Sequence, residues 1–253
     1  MNKKNVIAII PARYASTRFP GKPLADINGK SMIRRVYEQV SKSVADKVIV
    51  ATDSKEIFDH VKYFGGEAMM TSKTHNNGTE RCAEVVKTLM NEMIIGRRDI
   101  VINVQGDEPF IRPEQINYIA NTFLLRKIKI VTLAKLIERE EEFNDPNVVK
   151  VIFDKKRCAL YFSRASIPYM RNENVAEKFS LWKHIGIYGY RVKTLLKLAK
   201  MASSPLEQME MLEQLRWLEN GQKIYVTPTN FNNFAIDTPE DIKNIPFELF
   251  ENE

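Results

Sequence analysis

Three short apolar runs, residues 6–10, 47–51 and 100–104, alternate with helix-like stretches at 31–43, 54–64 and 79–93. Strands buried on both faces read as near-continuous apolar runs rather than as alternating ones. Such strands alternating with amphipathic helices imply a parallel sheet covered on both sides. Gly65-Gly66 punctuates the end of the second helix. Few other arrangements bury three such runs within 110 residues.

The rest of the chain changes rhythm. A helix is predicted over 113–125, and β-like runs follow at 129–136, 148–153 and 158–162. Residues 165–183 are polar and aromatic with weak periodicity and read as a loop. A strand is predicted near 184–190, helices at 192–201 and 205–219, a strand at 223–227 and a terminal helix from about Pro239. Met209, Leu212, Leu215 and Leu218 recur every three residues and predict a buried stripe, with Glu210, Glu213 and Gln214 on another face. No repeat or low-complexity linker appears. The expectation is one α/β domain over 1–253 with a mixed, mainly parallel central sheet flanked by helices. A region at about 130–190 is inserted for substrate choice.

Composition narrows the function classes. Hydrophobic residues make up 44% and charged ones 28%, which suits a soluble globular domain. Only five apolar residues separate Asn5 from Pro11, too few for a signal sequence, and no segment approaches the roughly 20 apolar residues of a membrane span. Cys82 and Cys158 have no metal-ligand spacing and are expected to be small buried hydrophobes in a reducing cytoplasm. The net charge is +6, but the basic pairs lie in separate segments with acids between them. An anionic small substrate uses that charge better than a nucleic acid does.

The loops after the apolar runs carry the chemistry. Pro11-Ala12-Arg13-Tyr14-Ala15-Ser16-Thr17-Arg18-Phe19-Pro20-Gly21-Lys22-Pro23-Leu24 follows the first run and offers cations, hydroxyls and backbone N–H groups to an anion. In open α/β sheets ligands bind at this end of the strands. Gly29-Lys30-Ser31 is no phosphate loop, because Leu24 stands where that motif needs its first glycine. Residues 26–29 read instead as a tight turn, with Ser31 capping the next helix. There is no G-x-G-x-x-G, no Ser/His/Asp order, and the three histidines are scattered.

Asn103-Val104-Gln105-Gly106-Asp107-Glu108-Pro109 ends another buried run. Asp107 there can hold Mg²⁺ against phosphate oxygens or simply satisfy a turn. In Ile236-Asp237-Thr238-Pro239-Glu240-Asp241, a helix cap explains Thr238 to Asp241 but not Asp237, which is therefore a candidate second carboxylate. Asn77-Gly78-Thr79-Glu80-Arg81 opens a helix, with Thr79 as its cap, as a nucleotide contact, or as both. Arg164, after a predicted strand, can fork onto a carboxylate or lie as a surface charge.

Taken in order, Ala12-Arg13-Tyr14-Ala15-Ser16-Thr17-Arg18, Val104-Gln105-Gly106-Asp107-Glu108-Pro109, Tyr161-Phe162-Ser163-Arg164-Ala165, Gly186-Ile187-Tyr188-Gly189-Tyr190 and Met211-Leu212-Glu213-Gln214-Leu215-Arg216 resemble the 3-deoxy-manno-octulosonate cytidylyltransferases over nearly the whole chain. The resemblance implies the nucleotide-diphospho-sugar transferase fold, usually as a homodimer, with the 130–190 region serving sugar binding and dimerisation. It implies CMP transfer from CTP to 3-deoxy-D-manno-octulosonate (Kdo), with Mg²⁺, for lipopolysaccharide synthesis in the cytoplasm. Ala12, Arg13, Lys22, Thr79 and Gln105 would then meet the nucleotide. Asp107 and Asp237 would carry the metal, and Arg18, Arg164, His184, Tyr188, Glu213 and Gln214 would orient the sugar. Asn232-Asn233-Phe234-Ala235 departs from that pattern, being bulkier than the glycine-containing stretch usual there.

Overall fold

The computed structural model describes residues 4–15, 19–125, 127–171 and 180–251. The chain opens with β1 (Val6–Ala12), a 3-10 turn (Lys22–Leu24), the hairpin β2 (Asp26–Ile27) and β3 (Lys30–Ser31), α1 (Met32–Ser41), β4 (Lys47–Thr52), α2 (Lys55–Tyr63) and β5 (Ala68–Met70). Next come α3 (Gly78–Asn91), β6 (Ile100–Asn103), α4 (Pro113–Thr122), β7 (Ile130–Leu136), α5 (Glu140–Asn144), β8 (Lys150–Phe153) and β9 (Ala159–Ser163). The last part holds β10 (Trp182–Arg191), α6 (Val192–Leu198), α7 (Pro205–Glu210), α8 (Glu213–Glu219), β11 (Tyr225–Pro228), α9 (Pro239–Lys243) and α10 (Glu248–Glu251).

The main sheet runs β11-β7-β10-β6-β1-β4-β5. The pairs β1–β4, β1–β6, β4–β5 and β7–β11 are parallel, whereas β10 is antiparallel to both β6 and β7. All of this path except β10 therefore points one way, and the sheet is mixed and mainly parallel as expected. Within 130–190, β7 and β10 are central strands of the main sheet. The β8–β9 ribbon leaves it, tied through β8 to β10.

Alternate residues of β1 face opposite layers, as the pleat requires. Ala8 and Ile10 pack with Ile33, Val36, Ile57 and Ile116 of α1, α2 and α4. Ile7 and Ile9 pack with Val85, Val86, Leu195 and Trp217 of α3, α6 and α8. The Ser31 hydroxyl caps α1 by accepting from Arg34 N, and Asn28 (φ 50°) with Gly29 (φ 81°) makes the tight turn between β2 and β3. Gly189 of β10 lets α4 lie on the sheet, since a Cβ there would stand 2.3 Å from Ile119 Cγ2.

Four local expectations are corrected. The N-cap of α3 is Asn77, whose side chain accepts from Glu80 N at 2.8 Å, and Thr79 lies inside the first turn. Cys158 is half-buried rather than buried. The predicted loop ends early, because β10 already begins at Trp182. The predicted 205–219 helix is two helices, because Met211 takes a left-handed conformation (φ 53°). That kink exposes Met209 and breaks the stripe. It sends Glu210 to Ser163 Oγ (2.6 Å) and Arg164 N (2.9 Å), and Glu213 to Thr79 Oγ1 (2.9 Å). Arg216 closes the two helices on each other through Glu207 at 2.5 Å.

Candidate active site

Parallel β1, β4 and β6 place their carboxyl ends, and the loops that follow, along one edge. A cavity of about 270 Å³ opens there. The exit of β1 lines it with Pro11, Ala12 and Arg13, the next turn with Lys22 and Pro23, and the exit of β6 with Gln105, Gly106 and Asp107. His75–Gly78 and Arg81 close one side, and Asp237 arrives from the carboxy-terminal stretch. The β1 and β6 exits approach so closely that a Cβ on Gly106 would lie 2.9 Å from Pro11 O.

Lys22 organises this cavity. Gly21 (φ 70°) sets up its turn, and the side chain is only 12% exposed. Nζ donates to Asp107 Oδ2 at 2.8 Å and to Asp237 Oδ1 at 3.2 Å. The two carboxylates, far apart in sequence, thus converge on one cation. Arg81, which also lines the cavity, is anchored by Asp53 Oδ2 at 2.8 Å and Thr71 Oγ1 at 2.5 Å. His75 Nε2 lies 2.5 Å from Glu84 Oε2, which also accepts from Ser72 N. The amino terminus of the 14-residue α3 lines the same space through Asn77 and Gly78, and the positive end of a helix favours electron-rich ligand atoms.

Ala12, Arg13, Lys22, Gln105, Asp107 and Asp237 therefore share one cavity. Arg18 lies outside the described residues. Beside the cavity, Gln105 Nε2 donates to Gly186 O (3.2 Å), which joins the β6 exit to β10. His184 bonds Thr132 Oγ1 at 2.8 Å and packs against Phe162 and Tyr188. Burial pushes its imidazole down to about 3, so it is neutral at physiological pH. Tyr188 and Gln214 are buried. Arg164 stands apart from the cavity wall, its Nε donating to Glu210 O (2.8 Å) and its Nη1 to Pro146 O (3.1 Å).

His75 and Asn76 line the cavity without having been candidates. A histidine bonded to an acid nine residues on carries no motif, although the helix-opening Asn77 marks the neighbourhood. Glu108 was also missed. Burial first, and the Asp107 carboxylate second, push it up to about 8.

Burial likewise pushes Glu213 up from its ordinary 4.5 to about 7, against the Thr79 hydroxyl bond that lowers it. The folded state then holds this proton more tightly than the unfolded chain. Its stabilising contribution is complete below about 4.5 and is lost as pH rises towards 7. Glu213→Gln is expected to flatten the fall in stability between pH 4.5 and 7 by on the order of 1–3 kcal/mol. Urea unfolding at several pH values, wild type against variant, measures this, and parallel slopes would contradict it.

Residues 7–224 match the family model described as cytidylyltransferase. A 3-deoxy-manno-octulosonate cytidylyltransferase of Parabacteroides distasonis is 49% identical, with 94% of this chain and 95% of that protein covered. One of Thermodesulfovibrio yellowstonii is 50% identical at the same coverage. The solved structure of a CMP:2-keto-3-deoxy-manno-octonic acid synthetase complexed with CTP superposes with a TM-score of 0.88 at 37% identity, covering 98% of this chain and 100% of that one. A 4-diphosphocytidyl-2C-methyl-D-erythritol synthase, 13% identical with a TM-score of 0.65 over 96% and 97% of the two chains, shares the fold.

Proposed function

Because this chain belongs to the 3-deoxy-manno-octulosonate cytidylyltransferases, we infer that it transfers CMP from CTP to Kdo and releases pyrophosphate. The anomeric oxygen of Kdo bonds to the α-phosphorus of CTP, and the bond to the pyrophosphate oxygen breaks. Such transfer depends on positioning and on neutralising phosphate charge. The observation that carries the reading is Lys22 Nζ, held between Asp107 and Asp237 at the cavity wall.

Lys22 and Arg13 supply positive charge for the triphosphate. Ala12, Gln105 and the start of α3 at Thr79 supply nucleotide contacts. Arg18, Arg164, His184, Tyr188, Glu213 and Gln214 orient the sugar acid. The neutral His184 and the buried tyrosine suit hydroxyl groups, and the arginines suit its carboxylate.

The two carboxylates fit Mg²⁺. They are hard oxygen donors already gathered round one cation, and Mg²⁺ commonly takes one or two carboxylates together with substrate phosphates. Among the described residues no cluster of three or more His, Cys, Asp or Glu could hold an ion, so phosphate and water oxygens would complete the shell. When bound, the ion lowers the charge barrier between the incoming oxygen and the phosphates.

A cytoplasmic homodimer serving lipopolysaccharide synthesis completes the proposal. No helix among the described residues is long and apolar enough to cross a membrane. The dimer is expected to sediment at twice the 29.3 kDa chain mass. The deciding assay follows pyrophosphate release with Mg²⁺, Kdo and each nucleoside triphosphate. CTP should far outrun ATP and GTP, and Kdo should outrun sialic acid and 8-amino-Kdo. Equal turnover of the three nucleotides would sink the reading.

A further inference from the structure

Asp237 reaches the cavity on a stretch without regular structure between β11 and α9. Its position depends on how that stretch is fastened. Asn233 provides a directed fastening. Its Oδ1 accepts from Gln115 Nε2 at 2.6 Å, and its Nδ2 donates to Glu108 Oε2. Gln115 and Glu108 are both buried and Asn233 is half-buried, so these bonds are partly shielded from water.

The direction of each bond follows from the next. Gln115 Oε1 accepts Arg112 N at 3.1 Å, in the first turn of α4. Its amide is thereby oriented, and Nε2 is the atom left to donate. Asn233 must then present its oxygen to Gln115 and its NH₂ to Glu108. A carboxyl oxygen is the matching acceptor. Glu108 is the chain neighbour of Asp107, so the relay runs from α4 through Asn233 to the loop carrying the other carboxylate.

Two more contacts join the same segments. Ile236 N donates to Asp107 O at 2.9 Å, and the Phe234 ring meets Phe110 edge-on at 6.3 Å. Apolar contact tolerates sliding, whereas paired, directed hydrogen bonds fix register.

We propose that Asn233 is a positioning residue for the transfer reaction, bridging Gln115 and Glu108 so that Asp237 and Asp107 face one cation. This rests on the reading of Asp237 as a metal-facing carboxylate. Asn233 touches no reacting atom and acts by placing a ligand. Partners of that kind typically change metal affinity about 10–100-fold when removed.

The test measures Mn²⁺ binding to the CTP-loaded chain by calorimetry, alongside melting temperature and the Mg²⁺ dependence of turnover. Asn233→Ala is expected to weaken Mn²⁺ about 10–100-fold and raise half-saturating Mg²⁺ in parallel, with kcat at saturating metal little changed. Glu108→Gln keeps an acceptor for Nδ2 and should bind Mn²⁺ like wild type, whereas Glu108→Ala should behave like Asn233→Ala. If Asn233→Ala proves unstable, Asn233→Leu keeps nearly the same size, removes both hydrogen bonds and should show the same loss. Asp237→Asn is the reference. If it loses Mn²⁺ while Asn233→Ala and Asn233→Leu bind normally, the positioning role falls and the metal reading stands. If Asp237→Asn itself binds normally, both fall. A lowered melting temperature with unchanged metal dependence marks Asn233 as merely structural and also overturns the proposal.

Discussion

Asp107→Asn and Asp237→Asn should each cut turnover by about 10²–10³-fold or more, the range seen when one preorganised electrostatic group is lost from an active site. Asn keeps the size of the side chain and one oxygen but removes the charge. Both carboxylates already meet a single cation, Lys22, at 2.8 and 3.2 Å. If they also share one metal and triphosphate assembly, loss of either dismantles it. The double variant should then be little worse than either single one, since groups acting as a unit are strongly non-additive. Two independent losses that multiply would show that the carboxylates work separately.

Asp237 has a structural alternative that can be separated from this. The next residue, Thr238, caps α9, and Asp241 Oδ2 accepts from Thr238 N at 2.7 Å and from Asp237 N at 2.8 Å. The cap uses the backbone of Asp237 rather than its carboxylate. Asp237→Asn should therefore leave the melting temperature nearly unchanged while turnover collapses, and raised Mg²⁺ should restore part of it. Near wild-type turnover at low Mg²⁺, or loss that tracks unfolding, would remove Asp237 from the site.

Much of this site was legible because its residues follow buried strands. The runs at 6–10 and 100–104 predicted β1 and β6, and the loops after them hold Arg13, Lys22, Gln105 and Asp107. The cap at Thr238 to Asp241 could be read as a cap, which left Asp237 unexplained and so conspicuous. What stayed hidden was set by tertiary contact. Nothing in the spacing of Lys22, Asp107 and Asp237 says that one ammonium joins them. Asn233 and Glu108 are of types usually left at the surface, so neither announces a buried bond. The period of three from Met209 to Leu218 favoured one helix. The fold instead sets Met211 left-handed, which sends Glu210 to β9 and Glu213 to α3. The antiparallel placement of β10 between two parallel neighbours is likewise a matter of partners, which periodicity along one strand does not carry.

Lys22→Met should separate the two jobs of the lysine, with effects of opposite sign. Towards CTP the loss is large. Removing a charge-assisted contact to the triphosphate should lower kcat/KM by about 10²–10³-fold, and Lys22→Arg should rescue it poorly, because a planar fork does not replace a compact point charge. Towards a divalent cation without nucleotide, the sign reverses. Lys22 Nζ holds the space between Asp107 and Asp237 and competes for their oxygens. Methionine removes the ammonium that Asp107 and Asp237 share, so Mn²⁺ should bind the empty site more tightly than in wild type. For the same reason the variant should melt at a lower temperature in chelator and regain more of that loss on adding Mg²⁺ than wild type does. Calorimetry with Mn²⁺ alone, then with CTP, reads both signs in one protein. Unchanged CTP affinity would take Lys22 out of the triphosphate site. Weakened Mn²⁺ binding without nucleotide would mean that the ammonium arranges the carboxylates for the ion rather than standing in its place.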